Sequence, residues 1–335
     1  MPNRFAWIVA LASIAMMGVD AHAGPTLDAV RSRGHLTCGV SGDAAGLSLR
    51  DGRGRYVGFE ADMCRAVAAA IFGVADKTEF RPVDTVERFL ADADIDLVFH
   101  GLTWTFARET GAGVRFGPVV LYDGQAFLTS KRLGAKTMGQ LLGRTVCVKR
   151  DSDFQVNLER AYRERKMVLK AVPLGSLAEA EAAFFAGRCD VFTADATELA
   201  TALIARTPNP ESYLILPDRI SKEPLAPVMR RDDEEFFDVV RWAIFTLMEA
   251  EELGVTTMNV DRMDASDDRR VRNFAAAASD RLGLASGWTA AVVRSIGNYG
   301  EVYDRTLGEG SSARLDRGLN DLWSRGGLLY APPFR

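Results

Sequence analysis

Short apolar runs and helical-period stripes take turns along the chain, and they do so twice. His35-Leu-Thr-Cys-Gly-Val40 reads as a first strand, followed by a glycine-containing loop and a hairpin-like stretch ending at Tyr56-Val-Gly-Phe-Glu60. In residues 62–72, Met63, Ala66, Val67, Ala70 and Ile71 share one helical face. Residues 78–83 then read as a strand and 86–91 as a short helix. Asp94-Ile-Asp-Leu-Val-Phe99 has the continuous apolar character of a buried parallel strand, and it runs into a polar loop at 101–110. A second unit follows Gln125-Ala-Phe-Leu-Thr129. It comprises a strand at 145–149, a helix at 154–163, a strand at 170–173, a helix at 177–185 and a strand at 189–193, with Asp195 just past its end. Alternation of this kind predicts α/β architecture, with a parallel-rich sheet flanked by helices in each unit. Two such units joined by extended crossings enclose a cleft.

The return crossing is Arg219-Ile-Ser-Lys-Glu-Pro-Leu-Ala-Pro-Val228, where Pro224 and Pro227 exclude a helix. A long helix spans 234–252, with Val239, Val240, Ala243, Ile244, Leu247 and Met248 as its apolar stripe and Asp232-Asp233 at its positive end. The tail is helical with glycine breaks, and residues 326–335 are not helical. The expected lobes are therefore 24–125 together with 228–335 (lobe 1 and a C-terminal helical extension) and 126–227 (lobe 2). Their hinge strands fall near 124–131 and 219–228. Residues 1–23 read as a cleaved signal peptide: one Arg, an apolar run from Phe5 to Val19, and Ala21-His22-Ala23.

Composition narrows the partners. The formal net charge is −4 over 335 residues, with both signs intermixed, so no basic face is available for nucleic acid. No later segment has the length and apolarity of a membrane span. Beyond residue 23 only His35 and His100 remain, and no CxxC or Cys/His cluster suggests a metal. Cys38 lies on the first strand and Cys64 on the helix expected beside it. Cys147 and Cys189 lie on two expected neighbouring strands of the second unit. One disulfide per lobe, Cys38–Cys64 and Cys147–Cys189, is expected in an exported chain, with four buried thiols as the alternative.

Ligands of open α/β sheets sit outside the carboxyl ends of the strands. Those ends carry Gly101-Leu-Thr-Trp-Thr-Phe-Ala-Arg108 in the first unit, and Lys149-Arg-Asp-Ser-Asp153 and Asp195 in the second. An α-amino acid needs two opposite anchors. A guanidinium fork and helix N-terminal N–H groups suit its carboxylate, and a carboxylate suits its ammonium. Arg108 and Asp195 supply those charges from opposite lobes. Each also has an ordinary reading: Arg108 as a solvated loop residue, and Asp195 as the cap of a helix beginning Ala196-Thr197-Glu198-Leu199.

The chain resembles the family 3 periplasmic solute-binding proteins of ABC importers, and within them the general L-amino-acid-binding branch. The segments that carry the resemblance are Gly58-Phe-Glu-Ala-Asp62, Tyr122-Asp-Gly-Gln125, Phe185-Ala-Gly-Arg-Cys-Asp190, Ile220-Ser-Lys-Glu-Pro-Leu225, Gly297-Asn-Tyr-Gly-Glu-Val302 and Tyr330-Ala-Pro-Pro333. The resemblance implies a two-lobed periplasmic binding protein fold of type II. It implies a monomer that captures an L-amino acid by hinge closure and hands it to an ABC permease and ATPase in the inner membrane. No cofactor and no catalysis are implied. It assigns Arg108 to the ligand carboxylate, with Thr103 and the Gly101 backbone beside it, Asp195 to the ammonium, and Ser152 with Asp153 to the helix N-terminus facing the carboxylate. The chain departs from the branch at Phe99-His100-Gly-Leu-Thr-Trp-Thr105 and at Arg150-Asp-Ser-Asp153. Asp151 and Asp153 add negative charge where an anion should bind. A different small metabolite, a sensor input module, and a periplasmic dehydratase of cyclohexadienyl acids are the competing expectations.

Overall fold

The computed structural model describes residues 24–335, so the expected signal peptide lies outside the described residues. The first unit runs Pro25–Arg33 (α1), Leu36–Val40 (β1), Asp43–Ala44 (β2), Ser48–Arg50 (β3), Tyr56–Val57 (β4), Phe59–Phe72 (α2), Thr78–Pro82 (β5), Val86–Ala91 (α3), Leu97–Val98 (β6), Phe106–Gly111 (α4) and Val114–Phe116 (β7). After Leu121–Asp123 (β8) the second unit follows. It comprises Gln125–Ser130 (β9), Thr145–Lys149 (β10), Asp153–Glu164 (α5), Lys170–Leu174 (β11), Leu177–Phe185 (α6), Val191–Asp195 (β12), Ala196–Arg206 (α7) and Tyr213–Ile215 (β13). The chain returns through Glu223–Leu225 (β14) and Val228–Arg230 (β15) into Glu234–Glu252 (α8), Arg269–Ala275 (α9), Trp288–Ile296 (α10) and Tyr299–Thr306 (α11).

Two five-stranded sheets result, β5-β1-β6-β15-β7 and β11-β10-β12-β9-β13. In each, the first three strands are parallel and the rest join antiparallel. This is the two-lobed binding-protein architecture expected from the repeated pattern. The helix α2 is buried on nearly every face, from Phe59 to Ala70, because it packs against β1 and against both α8 and α10. Both expected disulfides are present. Cys38–Cys64 ties β1 to α2 and Cys147–Cys189 ties β10 to the approach of β12, with Cα separations of 6.1 and 5.7 Å.

The lobe crossing is the antiparallel pair β8/β14, with Asp123 opposite Glu223 and Leu121 opposite Leu225. The expected return crossing at 219–228 contains β14, whereas residues 125–130 of the other expected stretch form β9, inside the second sheet. Gly124 sits where the two crossings nearly touch. A Cβ there would lie 2.3 Å from the carbonyl oxygen of Ser221, so no other residue fits without backbone movement. The tail buttresses this crossing. The Asn320 Oδ1 accepts from the Tyr122 N–H at 2.7 Å, its Nδ2 donates to the Tyr122 carbonyl, and the Tyr299 hydroxyl donates to the Val120 carbonyl.

Three local expectations change. The strand expected at 94–99 is confined to Leu97–Val98, flanked by backbone hydrogen bonds from the Asp96 N–H to Thr37 and from the Phe99 N–H to Gly39. The Asp96 carboxylate also accepts the Thr37 N–H and the Arg33 guanidinium, and burial raises its pKa to about 6. The polar loop at 101–110 contains α4, none of whose residues is buried. Asp195 is the last residue of β12 rather than a residue beyond it.

Candidate functional site

The site is built at the strand ends. Beyond β6 the chain turns through His100 and Gly101, and Thr105 caps α4 by accepting the Arg108 N–H at 3.2 Å. That cap fixes Arg108 in the first turn of an exposed helix. Its Nη1 donates to the Thr103 carbonyl at 2.8 Å, and no carboxylate pairs with it among the described residues. The Gly101 N–H donates to the Glu60 Oε1, which leaves the Gly101 carbonyl, but not its N–H, for a ligand. Glu60 is buried, also accepts from the Ser48 hydroxyl at 2.8 Å, and is held above the ordinary carboxylate range by that burial. Trp104 stacks on Phe116 at 5.9 Å and donates its Nε1 to Glu109, so it packs against lobe 1. Phe106 is 84 % exposed.

In the second unit, Ser152 precedes α5. Its hydroxyl donates to the Lys149 carbonyl at 2.7 Å and does not cap the helix. The N–H groups of Asp153 and Phe154 lie in the first helical turn, where no intrahelical acceptor exists. N–H groups in that position can donate to an anion. The two extra carboxylates are both exposed. Asp151 holds a left-handed φ of 52°, and its N–H donates to the Gln155 Oε1. Arg150 reaches the Pro173 carbonyl and neutralises neither carboxylate. Both charges sit in water beside the first turn of α5, so for an anion received there screening should control their effect. Asp151→Asn is expected to tighten binding of a carboxylate ligand severalfold at low ionic strength. The gain should vanish in titrations at about 0.5 M salt, where the screening length falls to a few ångström.

Asp195 is strongly perturbed. Its pKa is pushed up to about 8, first by burial and then by the carboxylates of Asp123, Glu223 and Glu198, with Arg219 acting in the opposite sense. Its side chain does not cap α7. Asp123, from the crossing strand, takes that role: it accepts the N–H groups of Ala196 and Thr197 and the Thr197 hydroxyl. Asp195 is thereby released, and its Oδ1 is buried without a partner. Gln125 lies directly opposite Asp195 in the β9/β12 register. Its Nε2 donates to the Phe154 carbonyl and the Thr193 hydroxyl, while its Oε1 is also buried and unpartnered. Two acceptors without donors therefore occupy facing positions at the end of one strand pair.

The units approach each other through α7. The Thr201 hydroxyl donates to the Ala45 carbonyl at 2.9 Å, and Glu198 is close enough to feel Asp43 and His100 of the first unit. No hydrogen bond or ion pair joins Arg108, Ser152 or Asp153 to Asp195 among the described residues. Sequence reasoning missed Glu60, Asp123 and Gln125 as members of the site, although all three lie within the segments that carry the resemblance. Among the described residues no cluster of His, Cys, Asp or Glu could hold a metal ion, and no helix is long and apolar enough to cross a membrane.

Known proteins share this framework. The profile of bacterial extracellular solute-binding proteins, family 3, matches residues 36–256. The general L-amino acid-binding periplasmic protein AapJ of Rhizobium johnstonii is 38% identical over 342 aligned residues, covering 100% of both chains. The glutamate/glutamine/aspartate/asparagine-binding protein BztA of Rhodobacter capsulatus is 38% identical, over 96% of this chain and 97% of its own. A solved structure, an ABC transporter periplasmic binding protein from Brucella ovis with glutathione bound, superposes with a TM-score of 0.80. It is 37% identical over 94% of this chain and 100% of its own.

Proposed function

The chain belongs to the bacterial extracellular solute-binding proteins, family 3, and from that membership we propose that it captures an L-α-amino acid between two lobes and delivers it to an ABC permease and its ATPase. It is a periplasmic binding component, not an enzyme. Residues 24–125 with 228–335 form one lobe, residues 126–227 form the other, and the crossings between them are the hinge.

The observation that carries this reading is the pair of buried, unpartnered acceptors at the end of β12, Asp195 Oδ1 and Gln125 Oε1. An ionised carboxylate buried with no donor is costly, so burial favours the protonated form of Asp195, and an ammonium, with three N–H donors and a positive charge, lets it ionise. Arg108 and the first turn of α5 receive the carboxylate, with Thr103, Ser152 and Asp153 around it, while the Gly101 carbonyl, whose own N–H is taken by Glu60, is left to accept from the ammonium. Bridging contacts made only when the lobes meet favour the closed form.

Glutathione, the ligand of the Brucella ovis relative, carries the same α-ammonium and α-carboxylate at its γ-glutamyl end, so the two anchors accept either ligand. Isothermal titration of the purified chain with the common L-amino acids, their D-enantiomers and glutathione tests the reading. Saturable one-to-one heat with at least one L-amino acid, and none with its D-form, is expected. Heat with glutathione alone would move the ligand class to γ-glutamyl peptides. No heat with any of them would reject the assignment.

A further inference from the structure

A second chemical environment lies far along the chain from the strand ends. Between α8, α9, α10 and the segment 333–335 is a cavity of about 700 Å³, within the range that encloses small organic ligands. Part of its lining is aromatic. Phe334 packs edge-on against Trp242 at 5.1 Å and lies 6.2 Å from Trp288. Trp288 is buried, and its indole Nε1 has no acceptor.

The lining is also cationic. Arg269, Arg281 and Arg335 line the same cavity, and none of the three is held by an ion pair or side-chain hydrogen bond among the described residues. Asp238 also lines the cavity, but it is taken by Arg241 at 2.7 Å. A lone unpaired arginine is ordinary on a surface. Three lining one aromatic cavity, whose single acidic side chain is already paired, select for a particular chemistry.

We propose that this cavity is a second ligand site, independent of the amino-acid cleft, for a small aromatic anion. The ring system lies against Trp242, Trp288 and Phe334, where offset and edge-on contacts between rings are favourable. The carboxylate or sulfonate meets Arg269 and Arg281, whose planar forks match such groups.

The test is fluorescence titration of the full chain with 1-anilinonaphthalene-8-sulfonate, beside the uncharged N-phenyl-1-naphthylamine, which has the same rings. The expected result is saturable one-to-one binding of the anionic probe. Its affinity should fall at least tenfold in Arg269→Ala/Arg281→Ala, while the neutral probe binds that variant as it binds the parent. Circular dichroism confirms that the variant is folded. Arg108→Ala should leave the anionic probe's affinity unchanged. Non-saturable binding, an unchanged affinity in the double variant, or loss of binding in Arg108→Ala would each overturn the proposal. The last outcome would place the probe in the cleft.

Discussion

Asp195→Asn and Arg108→Ala are each expected to weaken amino-acid binding by roughly 100-fold or more, because each leaves one ligand charge desolvated without its counter-charge. The two variants differ in their dependence on pH. In the ligand-free protein the Asp195 carboxyl is protonated up to a pKa of about 8, and an ammonium binds only its ionised form. Binding at neutral pH must therefore expel a proton. Affinity therefore rises with pH, by up to about tenfold per unit below the pKa, and levels off as pH passes it. The groups facing Asp195 set this behaviour. Asp123, Glu223 and Glu198 favour the proton, and Arg219 opposes it. Titrations at pH 7 in buffers of different ionisation enthalpy should report close to one proton released per ligand for the parent and for Arg108→Ala. Asp195→Asn should release none and show a flat profile. Equal profiles for all three would remove Asp195 from the ammonium site.

Opening the two disulfides is the second large effect. Cys38–Cys64 spans 26 residues and Cys147–Cys189 spans 42. Loop-closure entropy assigns stabilisations of about 3.5 and 4 kcal/mol to loops of those lengths, a large share of the roughly 5–15 kcal/mol available to a folded protein. The consequences should differ between the bridges. Cys38–Cys64 holds α2 to β1 inside a large core, so Cys38→Ser/Cys64→Ser should lower the urea midpoint with little change in ligand affinity. Cys147–Cys189 lies across β10 and β12, the strands whose far ends carry Ser152 and Asp195. Cys147→Ser/Cys189→Ser should lower both the midpoint and the affinity. Unchanged midpoints in both variants would show that the bridges contribute nothing to stability.

The parts of this molecule that were legible in its sequence are those whose signals are local. The parallel strands announce themselves as apolar runs, and topology alone sets Asp195 at the carboxyl end of β12 and Arg108 in the segment after β6. The cysteine pairs follow from the adjacency of the elements that carry them. Elements held by distant contacts were not legible. The helix α4 has no buried face, so it leaves no apolar period in the sequence. The capping of α7 by Asp123 joins residues more than seventy positions apart, and locally Asp195 looks like the natural cap. That one long-range substitution determines whether Asp195 is used up or available. Gln125 is similar, since its orphaned oxygen becomes visible only once β9 and β12 are paired. The aromatic cavity unites Trp242, Trp288 and Phe334 from three separate segments, and no window of sequence contains it.

One α-amino-acid head group bridging the two lobes through Arg108 and Asp195 would be visible in a crystal structure of the chain with whichever L-amino acid gives saturable heat. The ligand carboxylate is expected within hydrogen-bonding distance of the Arg108 guanidinium and the first turn of α5. The ammonium is expected on Asp195 Oδ1, with Gln125 Oε1 as its second acceptor. An ammonium bound to other groups, with Asp195 still unpartnered, would contradict that bridge.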